Sequence, residues 1–289
     1  MFQLFIDSDC DFTPELAEQY GYRLISMPYS FDGNEVFPYV DFDTFDYHTF
    51  YDTLRSGKMA KTSAISEESY KEYFEPEFQA GKDIVYVHFS SAMSATFTGM
   101  RHAVDELLAK YPERKFYAID TKAISICSNL IAREISDLAK AGKTPEELVE
   151  WAKTEVDKYA VYFFADDLKF FAKSGRVSNI TAVMGGLLGI RPIIYIGSDG
   201  KMVSIDKAKG KKQAVSKVMN YVTQLQDDIK AHKVLIAQAD AMELAQLLAD
   251  KLRETFGDDL DIEILPVNPT AGAHCGPDCV GVCFHAIHR

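Results

Sequence analysis

Ile84-Val85-Tyr86-Val87-His88-Phe89-Ser90-Ser91-Ala92-Met93-Ser94-Ala95-Thr96 is a near-continuous apolar run that opens into small polar residues. Such a run reads as a strand buried on both faces, and the serines after it break the strand. A helical stretch then follows from about Ser94 to Lys110. The same order recurs on either side. Phe2–Ile6 precedes the polar Asp7-Ser8-Asp9, and Thr13-Pro14-Glu15 supplies an N-cap with proline at the first helical position. Lys115–Ile119 precedes a helix from about Ile124 to Ala141, and Thr144-Pro145-Glu146-Glu147 opens another with a capping box. Strands alternating with helices predict a parallel α/β sheet over roughly the first 155 residues. In such sheets ligands bind beyond the carboxyl ends of the strands, so the loops after Ile6 and Phe89 are the first places to look for chemistry.

The second half has a different pattern. Val161–Ala165, Pro192–Ile196 and Met202–Asp206 are short strands, the last two joined through Gly197-Ser198-Asp199-Gly200 as a hairpin. Val234–Ala239 and Asp261–Val267 add two more, each preceded by a long amphipathic helix. The expected architecture is an N-terminal α/β domain over 1–158 and a C-terminal α+β domain over 159–289, with a ligand tunnel between or beside them.

With 31 Lys+Arg against 43 Asp+Glu, the net charge is −12, which argues against a nucleic-acid binder and allows at most transient contact with an anionic membrane. Between Asp199 and Lys217, however, Lys201, Lys207, Lys209, Lys211, Lys212 and Lys217 face only two aspartates. The N-terminal residues have neither the basic nor the apolar region of a signal peptide, and no apolar run is long enough to span a bilayer. The five cysteines are odd in number and crowd toward the end of the chain, which is not the pattern of an oxidised secreted framework; the cytoplasm is expected.

Three short polar clusters could hold an anion. The loop Ser90–Thr96 leads into a helix, so the backbone N–H groups of Ser94, Ala95 and Thr96 and the hydroxyls of Ser94 and Thr96 are candidate donors. Ser94 could equally cap its helix, and in Thr62-Ser63-Ala64-Ile65-Ser66 the last serine could do the same for a helix from Glu67. His274, in the glycine-flanked Ala271–Pro277 stretch read as a loop, can donate to a carboxylate or can be a surface residue. Ser94, His274 and Asp7 also supply the residue types of a hydrolase triad, so a serine esterase is the alternative, although no Gly-x-Ser-x-Gly elbow surrounds Ser94. Cys275, Cys279 and Cys283 lack zinc-knuckle spacing and read as reduced residues packed in a terminal strand, with no metal expected. Of the aromatics, Phe163-Phe164 and Phe170-Phe171 could line a tunnel, though most are read as core. Met184-Gly185-Gly186-Leu187-Leu188-Gly189 lacks the residues of a phosphate loop and reads as a close-packed helix beside the ligand.

Taken in order, Asp7-Ser8, Thr62-Ser63 with Ser66, Ser90-Ser91 with Ser94 and Thr96, Gly175-Arg176-Val177-Ser178, Arg191-Pro192-Ile193 and Gly272-Ala273-His274 with Gly276-Pro277 resemble the DegV family along essentially the whole chain. That family includes the fatty-acid-binding subunits of bacterial fatty acid kinase. The resemblance implies a non-enzymatic carrier with an apolar tunnel for a long-chain fatty acid such as palmitate or oleate, and no other cofactor. It implies that Thr62 and Ser94 hydrogen-bond the carboxylate, that His274 lies beside it, and that Ala95 and Thr96 adjoin it. It also implies a kinase partner that phosphorylates the bound acid, with Arg176 and Lys209 as docking candidates. The chain departs from the family's usual pattern at Ala95, in the place of a glycine, and at Lys209, in the place of an arginine.

Overall fold

The computed structural model describes residues 1–178 and 189–289. Fourteen strands are described, and the first seven are β1 (Phe2–Asp7), β2 (Tyr22–Ile25), β3 (Tyr29–Phe31), β4 (Asn34–Val36), β5 (Lys61–Thr62), β6 (Asp83–His88) and β7 (Phe116–Asp120). β1, β2, β6 and β7 form an all-parallel sheet in the order β2-β1-β6-β7. The chain therefore leaves β1 toward one edge and later builds the other edge from β6. The loops after β1 and β6 flank this reversal, the point at which parallel sheets open a crevice. β3, β4 and β5 make a small antiparallel sheet beside it.

The remaining strands are β8 (Tyr159–Phe164), β9 (Val177–Ser178), β10 (Ile190–Ile196), β11 (Met202–Lys209), β12 (Val234–Gln238), β13 (Ile262–Pro266) and β14 (Val280–His285). They form one mixed sheet in the order β13-β12-β14-β8-β10-β11-β9. The hairpin expected at 197–200 joins β10 to β11 antiparallel. Strand alternation gives this sheet two apolar faces. Tyr162, Phe164, Ile236, Val282 and Phe284 pack outward under the helices Lys211–Leu225 and Met242–Phe256. Val161, Ala237 and Cys283 point inward and share one core with the parallel sheet. The helix Ile126–Lys140 lies between the two sheets, and its Ala132 carbonyl accepts a hydrogen bond from the Tyr22 hydroxyl at 2.7 Å.

The N-caps read from Thr13, Ser66 and Thr144 are all present, the last as a complete capping box. Two expected boundaries move inward: the helix after β6 begins at Thr96, and the helix after β7 runs Ile126–Lys140. Residues 184–188 of the glycine-rich run fall outside the described residues. Among the described residues, no helix is long and apolar enough to cross a membrane.

Candidate functional site

An apolar chamber opens at the reversal point of the parallel sheet and is closed on its far side by the inward face of the mixed sheet. Its walls include Met27, Phe89, Met93, Ile126, Val161, Phe163, Phe171, Ile196, Met202 and Val267. Both loops singled out in the sequence reach it, the first through Asp9 and the second through Phe89, Met93 and Ser94. Of the two aromatic pairs, Phe163 and Phe171 line the chamber, whereas Phe164 and Phe170 are packed in the core.

Polar groups gather at one end. β5 pairs with β3 with Thr62 opposite Tyr29, which presents the Thr62 side chain to the chamber. Its Oγ1 hydrogen-bonds Nε2 of His274 at 3.0 Å. His274 is not in a loop, as expected, but in the last turn of a helix, Pro269–Cys275. The reason is local: Asn268 caps that helix, its Oδ1 accepting from the Ala271 N–H at 2.8 Å, and Pro269 occupies the first turn. Gly276 ends it with a positive φ of 72°. Gly272 lets this helix approach its neighbour, because a Cβ there would lie 2.6 Å from the Tyr51 hydroxyl.

Burial, and then the positive charge of Arg176, push the His274 imidazole down from 6.5 to about 4. It is therefore neutral near pH 7, and a bound anion beside it would move it back up. Arg176 stands at the mouth because the helix Leu168–Ser174 ends in the left-handed Gly175, which turns the chain. The guanidinium is exposed and donates to the Ser174 carbonyl.

The helix-start donors are arranged differently from the expectation. Ser94 Oγ accepts from the Thr96 N–H at 3.2 Å, so that N–H is engaged, but the N-cap position is Ala95 and the helix has no side-chain cap. The Ser94 hydroxyl proton remains to be directed into the chamber. The Thr96 hydroxyl pairs with that of buried Tyr70 at 3.0 Å, and Ala95 is exposed and outside the lining. Lys209 is exposed at the end of β11 and does not reach the chamber. The triad geometry is not assembled: His274 bonds Thr62, while the Asp7 carboxylate accepts from the Tyr86 hydroxyl and the Phe89 N–H.

The cysteine expectation needs correction. Only Cys283 lies in the terminal strand; Cys275 ends the helix that Asn268-Pro269 starts, and Cys279 precedes β14. All are buried and free, and Cys275 and Cys279 line the chamber. No cluster of three metal-ligating side chains occurs among the described residues.

Sequence reasoning missed Asp9, Ser125 and Thr270, which also line the chamber. Asp7, Asp9 and Asp11 are all buried, and burial raises all three carboxyls, Asp7 to about 7 and Asp11 to about 6. Asn268 ties this loop to the site helix, since its N–H and Nδ2 both donate to Asp11 Oδ1, at 2.8 and 2.7 Å. The available signal was the alternation Asp7-x-Asp9-x-Asp11 directly after an apolar strand.

Residues 1–286 match a profile described as an uncharacterised protein family, DegV. A DegV domain-containing protein of Clostridium perfringens is 29% identical over 98% of this chain and 97% of its own. Among solved structures, a DegV family protein from Thermus thermophilus described as binding fatty acid superposes with a TM-score of 0.87 at 18% identity, covering 99% of both chains. A stearic-acid-binding protein from Eubacterium ventriosum gives 0.87 at 19% identity, over 99% of this chain and 98% of its own.

Proposed function

The chain belongs to the DegV family, and from that membership we propose that it carries a long-chain fatty acid in the apolar chamber and is not itself a catalyst. The single observation that carries this reading is the Thr62–His274 pair at the polar end of an otherwise apolar chamber. A carboxylate there takes hydrogen bonds from Thr62 and Ser94, with the neutral His274 and the Arg176 charge beside it, while the acyl chain runs among Met27, Phe163, Phe171 and Val267. Most of the donors are uncharged, so the acid is held without a tight ion pair and its oxygens stay nucleophilic. Proteins of the same fold described as binding stearic acid or as loaded with heptadecanoic acid support this ligand class.

The same reading includes a kinase partner that converts the bound acid to an acyl phosphate. Arg176 at the mouth supports it, as do Lys207, Lys209 and Lys212, exposed and without an ion pair among the described residues. A division of the chain at 158/159 belongs to this proposal too; it is supported by the two strand sets, β1–β7 and β8–β14, joining separate sheets.

Mass spectrometry of a denatured extract of the purified protein is expected to find fatty acid at one chain per monomer. Absence of lipid, together with no uptake of added palmitate or oleate, would end the carrier reading. A hydroxamate trap for acyl phosphate, run with a candidate kinase and ATP, tests the partner; a signal unchanged by Arg176→Ala and Lys209→Ala would remove those residues from docking.

A further inference from the structure

Asp9 is 3% exposed, lines the chamber, and its Oδ1 has no hydrogen-bond partner among the described residues. A buried carboxyl oxygen without a partner is costly, and natural interiors rarely leave one. Its two hydroxyl neighbours direct their protons elsewhere, although Thr270 lies close enough to Asp9 to act on its carboxyl. Ser125 is held at a positive φ of 58° and gives its hydroxyl proton to Asp11 Oδ2. Thr270 gives its hydroxyl proton to the Met27 carbonyl at 3.1 Å. Both hydroxyls face the chamber with acceptor capacity only. Burial, and then the charge of Asp7, raise the Asp9 carboxyl well above 3.8, while the Thr270 hydroxyl beside it works the other way.

Resting on the carrier reading above, we propose that the chamber selects an acyl chain bearing a hydroxyl group, which donates to Asp9 Oδ1 beside Ser125 and Thr270. An unsubstituted chain covers Asp9 with methylene groups and leaves the oxygen unpaired. A hydroxyl group both donates and accepts, so it satisfies Asp9 and is itself satisfied in a pocket that would otherwise reject it. The helix fixes the region of the chain concerned. Thr270 and His274 are four residues apart on Pro269–Cys275, about 6 Å along its axis. The hydroxyl therefore belongs on the half of the chain nearer the carboxylate.

The test is competition binding to the delipidated full-length protein, using stearate and monohydroxystearates whose hydroxyl is moved stepwise from the carboxyl end toward the methyl end. At least one isomer of the proximal half is expected to bind about tenfold or more tighter than stearate. Asp9→Asn keeps a hydrogen-bonding oxygen and is expected to retain the preference; Asp9→Leu is expected to abolish or invert it. Stearate binding as tightly as every isomer, or a preference that survives Asp9→Leu, overturns the proposal, and the wild-type ranking decides it even if the leucine variant does not fold. Binding of stearate alone overturns this inference and leaves the carrier reading standing, whereas binding of no acid at all defeats both.

Discussion

Thr62 and Ser94 do different things to the protein, and this separates their mutants. Ser94→Ala removes the acceptor of the Thr96 N–H as well as a donor to the chamber, whereas among the described residues the Thr62 side chain bonds only His274. Both Thr62→Ala and Ser94→Ala are expected to weaken fatty-acid binding by about 0.5–1.5 kcal/mol, measured by titration calorimetry. Only Ser94→Ala should also lower the thermal midpoint, through the lost hydrogen bond to the Thr96 N–H, worth about 0.5–1.5 kcal/mol. Wild-type affinity in both variants would show that the carboxylate sits elsewhere. Gly272 gives a steric counterpart. In Gly272→Ala the new methyl meets the Tyr51 hydroxyl, whose own bond to the Val267 carbonyl keeps it from swinging away. A stability loss of about 1–3 kcal/mol in chemical denaturation is expected, with weaker ligand binding because His274 lies two residues further along the same helix.

At the scale of elements, the site depends on how Pro269–Cys275 is anchored. Asn268 caps it and at the same time gives two hydrogen bonds to Asp11 and one to the Asp9 carbonyl. Asn268→Ala loses the cap and leaves Asp11 Oδ1 with a single donor, so a cost of about 2 kcal/mol or more is expected in urea denaturation. A cost near zero would mean that the loop and helix hold each other by packing alone. This helix also marks the limit of what the chain disclosed in advance. The βα units were legible because buried parallel strands are long apolar runs and their helices carry strong start signals at Thr13, Ser66 and Thr144. Strands β3, β4 and β5 are too short to show a period, and the helix holding His274 has only seven residues, so its glycines outweighed the Asn268-Pro269 start signal. Thr62, Ser94 and His274 were legible as polar residues beside apolar runs. Asp9 and Thr270 were not, because an aspartate in a polar loop gives no sign that the loop will be buried.

For the whole molecule, three buried carboxyl groups and two buried imidazoles set the dependence of stability on pH. Asp7 and Asp9 hold their protons to higher pH when folded than the 3.8 of an exposed aspartate, so the native state binds more protons and stability falls as pH rises. His88 and His274 are lowered from 6.5, so the unfolded state takes up more protons as pH falls below that value, and stability falls there too. The two trends oppose each other in mildly acid solution, and above about pH 6.5 the carboxyls act alone. Stability is therefore expected to go on falling from about pH 6.5 as Asp7 ionises at about 7, and Asp9→Asn to flatten the slope and raise stability on its alkaline side. Denaturant midpoints across the range test this; a slope unchanged in Asp9→Asn would exclude Asp9 as its source.

The position of β14 in the mixed sheet bears on how the protein is made. Its partners are β12 and β8, and Val280–His285 pairs with Tyr159–Phe164 across more than a hundred intervening residues. Until β14 has emerged from the ribosome, the edges of β8 and β12 stand open, each nearly all apolar, with their hydrogen-bonding groups unpaired. Pairing across so long a loop is intrinsically slow. The nascent chain thus passes through an interval in which the far wall of its chamber is a half-built sheet with open apolar edges, and it is in that interval that aggregation competes with folding.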